Sequence, residues 1–289
     1  MISSADPLST ARVMSSCIKP KAQLDTTPLV LLHGFDSSCF EWRYGLPLLE
    51  DAGFETWAVD VLGWGFSDLG KSFPRAAWLP NVITFIRVPK SNYCNLISRL
   101  LGEVDKHMFR LLGAAVAIDF AVNHPEAVYK LILIDASVYA EGTGNLATLP
   151  KVMAYAGVYL LKSLPLRLYA TSLTFNTLTW GTCYDWAKIG RLHCLLPWWA
   201  DATVDFMTSG GYNVSAQIGE VKQKTLIIWG ENDQIIDYKL AVRLHSEIPN
   251  AMIRQIPECG HIPHIEKPAA VSKLIAEFVR AESKVCMVA

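Results

Sequence analysis

Two segments near the carboxyl end of the chain carry residue types that could take part in nucleophilic catalysis. Asp233 stands in WGENDQI, and His261 stands further along in CGHIPHIEKP. An imidazole can take the proton of a nucleophile, and a carboxylate can hold that imidazole in the required tautomer. Such a pair can act only if the fold brings the two segments together beside a nucleophile.

Short apolar runs alternate with helical patterns along most of the chain, which indicates a parallel sheet covered by helices. Residues 28–35 (PLVLLHGF) and 55–65 (ETWAVDVLGWG) predict two strands, each running into a glycine turn. Residues 129–137 (YKLILIDAS) and 224–233 (KTLIIWGEND) predict two more, each with polar residues at its carboxyl end. Ligands and catalytic groups collect at that end of the strands in open α/β sheets.

Residues 137–221 interrupt this alternation. They are rich in aromatic residues and show helical spacing, as at Val152, Tyr155 and Tyr159. We interpret them as a mostly helical lid inserted between two strands, which would supply apolar contacts to a substrate; an ordinary helical layer with core aromatics is the alternative. The predicted organisation is a flexible tail (1–24), a core (25–136 and 222–289) and the lid (137–221).

Four motifs, in this order, carry a resemblance to a known family: HGF at residues 33–35, DVLGWGFSD at 60–68, WGENDQI around Asp233 and CGHIPHIEKP around His261. Together they resemble the α/β-hydrolase superfamily, especially its plant members, over about residues 28–279. The resemblance implies an α/β-hydrolase fold, with a mostly parallel central sheet flanked by helices and an inserted helical lid. It also implies a serine-type hydrolase of a small apolar ester-like substrate, with no cofactor.

The resemblance assigns His261 as the base and Asp233 as the acid that orients it. The backbone N–H of Phe35 is the first expected donor to an oxyanion, and the residue after the nucleophile supplies the second. His264 is the nearest alternative for the base, and Asp135, which ends LILID, is an alternative acid.

The nucleophile position departs from the family. A hydrolase elbow reads G-x-S-x-G, because a sharp strand-to-helix turn tolerates only small neighbours around a strained serine. Aligning LGAAVAIDFAVNHP with the helix after the elbow places Leu111 at the nucleophile, Leu112 at the second oxyanion donor and Phe109 at the first glycine. Residues 99–136 contain no Ser, Thr or Cys. We therefore expect the chain to be catalytically impaired.

Two other serines match parts of an elbow. Ser67 lies in GFSDLG, but the second glycine comes one position late and no helical pattern follows. Ser91 lies between a β-rich run (82–88) and a helical pattern, but Pro89 and Tyr93 stand where glycines are needed. Neither serine fits well enough to replace the missing nucleophile.

The departure from the family is confined to one block, residues 71–111, with the resemblance resuming abruptly at about Leu112. Residues 71–110 hold seven Lys or Arg against two acids in an otherwise balanced chain. An abrupt change between intact flanks suggests a block substitution, such as an alternative transcript or a retained intron. Two hypotheses follow: a splice-derived inactive isoform, or a non-catalytic protein that binds a small apolar molecule.

Bulk composition excludes several other classes. A chain of 289 residues with 51% hydrophobic residues can bury a large single core. With 26 Lys and Arg against 27 Asp and Glu, it has no long-range field to attract nucleic acid. No apolar run reaches the ~18 residues of a membrane span. Nothing in the sequence specifies an oligomeric state.

Cysteine usage and the amino-terminal segment bear on the compartment. The chain has seven cysteines, an odd number, and none of them forms a CxxC pair. This usage favours reduced thiols in an intracellular compartment and not a metal site. Residues 1–24 are rich in Ser and Thr with one acid, Asp6, and weakly resemble a transit peptide. We expect a cytoplasmic or plastid protein.

Overall fold

The computed structural model describes residues 16–24, 26–61, 64–67, 82–86, 113–139, 150–177, 179–208 and 214–281. The described strands form one seven-stranded sheet in the order β1-β3-β2-β4-β5-β6-β7. Their bounds are β1 Cys17–Ile18, β2 Leu29–Leu32, β3 Thr56–Val59, β4 Val82–Ile86, β5 Val128–Ile134, β6 Lys224–Gly230 and β7 Ala251–Ile256. β1 falls within the predicted tail, so the last residues of that segment join the sheet.

Most strands share one direction, as expected. β2 is parallel to β3, and β5, β6 and β7 are parallel to one another. β4 is antiparallel to both β2 and β5, so β2 and β5 also point the same way. β1 pairs antiparallel with β3 and is the outermost strand on that side of the sheet. The carboxyl ends of β2, β3, β5, β6 and β7 therefore lie at one edge of the sheet.

β4 occupies the centre of the sheet in the opposite direction to its neighbours. Its first residue, Val82, pairs with Leu32 at the carboxyl end of β2. Its last residue, Ile86, pairs with Val128, the first residue of β5. The carboxyl end of β4 thus lies at the edge opposite to the one where the parallel strands end.

Helices cover both faces, and their bounds are α1 Gly45–Asp51, α2 Gly113–Asn123, α3 Lys151–Leu161, α4 Leu164–Thr174, α5 Trp180–Leu192, α6 Trp199–Thr208, α7 Ser215–Ile218, α8 Tyr238–Glu247, α9 Pro263–Glu266 and α10 Pro268–Arg280. Short 3₁₀ helices span Cys39–Arg43 and His193–Leu195. Side chains of a strand alternate between faces, so Leu29 and Leu31 pack with α1 and α10, whereas Val30 and Leu32 pack with α2 and α8.

α2 is the helix predicted after the nucleophile position. Its alanine-rich side, including Ala114, Ala117 and Ala121, is buried, and small side chains let the helix approach the sheet closely. A four-residue connection leads from Asn123 to Val128 at the start of β5. α2 runs back along the sheet, so its first residue, Gly113, lies towards the edge where the parallel strands end.

The segment between β5 and β6 is helical where the structure describes it. α3 packs against α6, and α4 packs against α5. Trp199, Phe175 and Phe206 are buried among these helices, whereas Tyr159, Tyr169 and Trp180 are exposed. None of the helices in the described ranges is long and apolar enough to cross a bilayer.

Candidate functional site

His261 and Asp233 are brought together at the carboxyl edge of the sheet. Asp233 follows β6, and its Oδ1 accepts hydrogen bonds from the backbone N–H groups of Ile235 (2.8 Å) and Ile236 (3.0 Å). Its other oxygen, Oδ2, lies 2.8 Å from Nδ1 of His261. A carboxylate at Nδ1 favours the tautomer with the proton on that nitrogen, which leaves Nε2 as an acceptor.

The loop that carries His261 is packed tightly between β6 and α4. The backbone N–H of His261 donates to the carbonyl of Thr174, the last residue of α4, at 2.8 Å. A Cβ at Gly260 would lie 2.5 Å from that carbonyl oxygen, and a Cβ at Gly230 would lie 2.0 Å from the oxygen of Gly260. Only glycine allows these approaches, which fix the imidazole beside Asp233.

His264, the alternative base, lies in a separate buried pair. Its Nε2 is 2.7 Å from Oε1 of Glu41, and its ring stacks on Trp42 at 4.4 Å between centroids. Burial alone would raise the pKa of Glu41, but the hydrogen bond and charge of His264 outweigh burial and lower it. The other oxygen of Glu41 accepts the N–H of Gly34 at 3.0 Å. His264 therefore holds Glu41 in place, and Glu41 in turn holds the HGF turn at Gly34.

Asp135, the alternative acid, lies near Asp233 but does not bind His261. Its Oδ1 accepts the N–H of Gly230 at 2.9 Å, and its Oδ2 has no hydrogen-bond partner among the described residues. Burial, followed by the charge of Asp233, raises the pKa of Asp135 well above its ordinary value. The structure thus pairs Asp233, and not Asp135, with the imidazole.

The HGF turn follows β2 at the same edge. Nδ1 of His33 donates to the carbonyl of Gly34 at 2.8 Å, and its Nε2 accepts the N–H of Val61 at 3.0 Å. Burial lowers the pKa of His33, so this ring stays neutral and shapes the loop. The ring of Phe35 packs against those of Trp64 and Phe206, with 4.9 Å and 4.3 Å between ring centroids. The N–H of Phe35 donates to no described residue.

Asp36, which sequence reasoning missed, joins this turn to the inserted helices. Its Oδ2 accepts from Nη2 of Arg167 at 2.6 Å. Its Oδ1 lies 2.9 Å from Nε2 of His193 and 2.8 Å from Nε1 of Trp199. The backbone of Asp36 is left-handed, with φ of 53°. Burial would raise its pKa, but Arg167 and the hydrogen bonds from His193 and Trp199 outweigh burial and lower it.

The same cluster contains the one group of possible metal ligands found within the described ranges. Atoms of Asp36, His193 and Cys194 lie within 4.8 Å of one another. Nη2 of Arg167 lies 2.6 Å from both the Asp36 carboxylate and the Cys194 sulfur. The guanidinium already supplies the positive charge that a cation would bring, so the arrangement is that of a buried ion pair.

Of the candidate nucleophile positions, the structure describes some and not others. Leu111, Leu112, Phe109 and Ser91 lie outside the described residues. Ser67 is described, and its Oγ donates to the carbonyl of Val61 at 3.4 Å within a turn, with no hydrogen bond to His261. The strand expected to lead into Ser91 is β4, whose carboxyl end lies at the edge away from Asp233 and His261.

Comparison with known proteins assigns the chain to a family. The Alpha/beta hydrolase family profile matches residues 29–274. The chain belongs to the alpha/beta hydrolase family. Among curated members of this hydrolase family, the Alpha/beta hydrolase domain-containing protein VTE7 of Arabidopsis thaliana is 52% identical over 270 residues, covering 92% of this chain and 78% of that protein.

More distant hydrolases match the chain over most of their length. The Uncharacterized hydrolase YugF of Bacillus subtilis is 25% identical and covers 87% of this chain and 89% of its own. The crystal structure of CarC, a serine hydrolase involved in carbazole degradation, superposes with a TM-score of 0.66 at 16% identity, covering 93% of this chain and 96% of CarC. An esterase from Exiguobacterium antarcticum gives a TM-score of 0.64 at 19% identity, with 93% and 95% covered.

Proposed function

We propose that this chain keeps the acid and base of a serine hydrolase without the nucleophile, and that it binds a small apolar ester-like molecule without forming an acyl-enzyme. The observation that carries the proposal is the direction of β4. A nucleophile elbow follows a strand that ends at the same edge as the acid and base. β4 fills the slot between β2 and β5, yet it ends at the other edge.

The retained groups have clear roles in a complete site of this kind. A serine hydroxyl would attack the ester carbonyl and pass its proton to Nε2 of His261, while Asp233 would stabilise the imidazolium. The N–H groups of Phe35 and Leu112 would hold the oxyanion. Leu111 offers no hydroxyl. Because the members of such a triad act as a unit, the absence of the nucleophile removes most of the rate enhancement that the three residues supply together. His261 could then at most activate a water molecule weakly.

The ligand class rests on the surroundings of the pair and on the relatives. Phe35, Trp64 and Phe206 form an aromatic group beside the expected oxyanion donor. Relatives include a 2-hydroxy-6-oxononadienedioate/2-hydroxy-6-oxononatrienedioate hydrolase of Comamonas testosteroni, 30% identical over 200 residues. The aromatic group supports a ligand with an apolar portion, and the oxo group in the name of that relative's substrate supports a carbonyl group in the ligand.

A splice-derived origin is the second proposal, and it is compatible with the first. The block 71–111 separates two stretches that resemble the family, and it includes the strand that runs in the unexpected direction. Sequencing transcripts across codons 70–112 tests it. A second transcript encoding G-x-S-x-G at this place is the expected result, and finding the present reading frame alone would contradict it.

Labelling with a fluorophosphonate tests the loss of the nucleophile. We expect no covalent adduct on the purified chain, because Leu111 replaces the nucleophile and no serine within the described ranges is hydrogen-bonded to the His261 ring. Small apolar esters should instead raise its Tm. Mass spectrometry of the labelled protein and a thermal melt with each ester provide the two readouts. An adduct on any serine would refute the inactive assignment.

Restoring the elbow tests the alignment at Leu111. The double variant Phe109→Gly with Leu111→Ser should hydrolyse a p-nitrophenyl ester at least about tenfold faster than the unmodified chain, since it adds the nucleophile that the base lacks. The control, Phe109→Gly with Leu111→Ala, removes the same bulk without a hydroxyl and should gain nothing. Adding His261→Ala should abolish the gain. A folded double variant with no gain would contradict the alignment.

A further inference from the structure

The inserted helices carry an unusual concentration of exposed apolar side chains. Of the seventeen large hydrophobic residues exposed within the described ranges, ten lie between residues 152 and 195. Isolated exposed hydrophobics need no explanation, but a contiguous apolar patch usually marks an interaction surface. The other seven are spread over the rest of the described chain.

α3 shows that this exposure follows one helical face. Val152 (81% exposed), Tyr159 and Leu160 (63%) recur at the spacing of a single stripe, with Met153 beside Val152. On the opposite side, Ala154 and Val158 are buried, and α3 packs against α6. The helix is therefore apolar all round, although one half of it faces outwards.

α4 and α5 also carry exposed aromatic rings. Tyr169 and Leu173 are exposed one turn apart on α4, and Trp180 (82% exposed) and Tyr184 are exposed one turn apart on α5. α4 contacts both α3 and α5. Nε of Arg191 on α5 donates to the carbonyl of Lys162, between α3 and α4, at 3.1 Å. The three outer sides therefore belong to neighbouring helices, and we name them the insertion face.

The segment that carries the insertion face is also basic. Residues 150–200 hold five Lys or Arg and a single acid, Asp185. Arg167 is bound to Asp36, and the four remaining cations are Lys151, Lys162, Lys188 and Arg191. None of these four forms an ion pair with a carboxylate in the part of the chain that the structure describes. Nζ of Lys188 lies 4.1 Å from the centre of the Tyr184 ring, so cations and aromatic rings are interleaved.

We propose that the insertion face docks on the surface of an anionic phospholipid bilayer. Helices that lie in a membrane interface combine apolar and aromatic side chains with Lys and Arg, which attract anionic headgroups. Tyr and Trp favour this interface because their rings are apolar and their polar atoms remain hydrated. The charge of the insertion face complements such a surface in a chain whose net charge is only −1.

A second copy of the chain fits this face less well. In a two-fold contact the same surface meets itself, so four cations would approach four cations. Like charges across an interface cost free energy, and lysine is depleted in the centre of protein interfaces. The inference concerns only the outer side of the helices, and it does not depend on whether the site at Asp233 and His261 turns over a substrate.

Flotation of the full chain with vesicles tests the docking. We expect binding to vesicles of phosphatidylcholine with about 30% phosphatidylglycerol, weaker binding to phosphatidylcholine alone, and release by high salt. Val152→Asp with Leu160→Asp should weaken binding at least about tenfold, because charge replaces buried apolar surface. Leu48→Asp with Val242→Asp changes exposed hydrophobics on α1 and α8 and should bind like the unmodified chain. Circular dichroism and Tm verify that each variant folds.

Two further measurements separate the possible occupants. Vesicles with brominated acyl chains should quench part of the tryptophan fluorescence, and Trp180→Phe should remove that part. Lys188→Gln with Arg191→Gln should lose the preference for anionic vesicles. Absence of binding by the unmodified chain, or equal binding by Val152→Asp with Leu160→Asp, overturns the proposal. So does a dimer in light scattering that this double variant dissociates without any lipid binding, since the face would then join two copies.

Discussion

Asp135 is a buried carboxyl whose second oxygen has no hydrogen-bond partner in the described parts of the chain. Its pKa is raised by burial and then by Asp233. A folded-state pKa above the unfolded value means that the folded state binds the proton more tightly. The contribution of Asp135 to stability is therefore fully present below the ordinary aspartate pKa of about 4, and it is lost as pH rises through the folded pKa.

Asp135→Asn should remove this decline, because the amide keeps the acceptor for Gly230 and carries no charge. We expect the free energy of unfolding of the variant minus that of the unmodified chain to be at least about 1 kcal/mol larger at pH 8 than at pH 5. Urea unfolding at both pH values measures it. Asp51→Asn, at the exposed end of α1, is the control and should show no such difference. An equal effect of Asp135→Asn at both pH values would contradict the assignment.

Some residues of the site could be predicted from the sequence and others could not. Asp233 and His261 stand in short motifs that follow predicted strands, and parallel strands bring such positions to one edge. The choice of Asp233 over Asp135 needed coordinates, because both follow strands that lie side by side. The partners of Asp36 could not be predicted at all. Arg167, His193 and Trp199 are 131 to 163 residues away along the chain, and no periodicity records a contact at that distance.

At the scale of elements, the Asp36 cluster connects the HGF turn to α4, α6 and the 3₁₀ helix between α5 and α6. Arg167 is only 12% exposed in its side chain, and Asp36 only 16%. Removing one member of a buried ion pair leaves the other charge without compensation, which costs more than the pair itself contributes. The cluster therefore makes the position of the inserted helices depend on one carboxylate.

Asp36→Asn should lower the free energy of unfolding by about 3 kcal/mol at pH 7. The pKa of Asp36 is lowered, so its contribution is complete above the ordinary value of about 4 and is lost as pH falls below it. Denaturant unfolding at pH 7 measures the change. Asp185→Asn, on the exposed side of α5, is the matched control and should change little. Combining Asp36→Asn with Arg167→Met should cost less than the sum of the two, and strict additivity would show that the pair is not coupled.

The strands of the core were predictable because apolar runs bounded by turns indicate them without tertiary information. The predicted ranges 28–35 and 224–233 contain β2 and β6, and the range 129–137 contains all of β5 except its first residue, Val128. The direction of β4 was not predictable. An apolar run has the same pattern whether its neighbours are parallel or antiparallel, and the distinction depends on the path of the chain before and after it.

At the scale of the whole molecule, the path through β4 can be tested directly. In antiparallel pairing, Leu32 lies opposite Val82 and Leu29 lies opposite Phe85. A parallel strand in the same slot would place the carboxyl end of β4 beside Leu32. Backbone nuclear Overhauser contacts should therefore join Leu32 to Val82. Contacts from Leu32 to Ile86 would contradict the structure and would weaken the case for a missing elbow.

β4 is also the one described strand that joins the two halves of the sheet, with β1, β3 and β2 on one side and β5, β6 and β7 on the other. β2 is buried along its whole length, and β5 is buried except at Tyr129. If β4 detached, both strands would present unpaired backbone groups flanked by apolar side chains. Such edges pair readily with strands of other molecules. Exchange of this single strand between copies is therefore the route by which we expect the protein to aggregate.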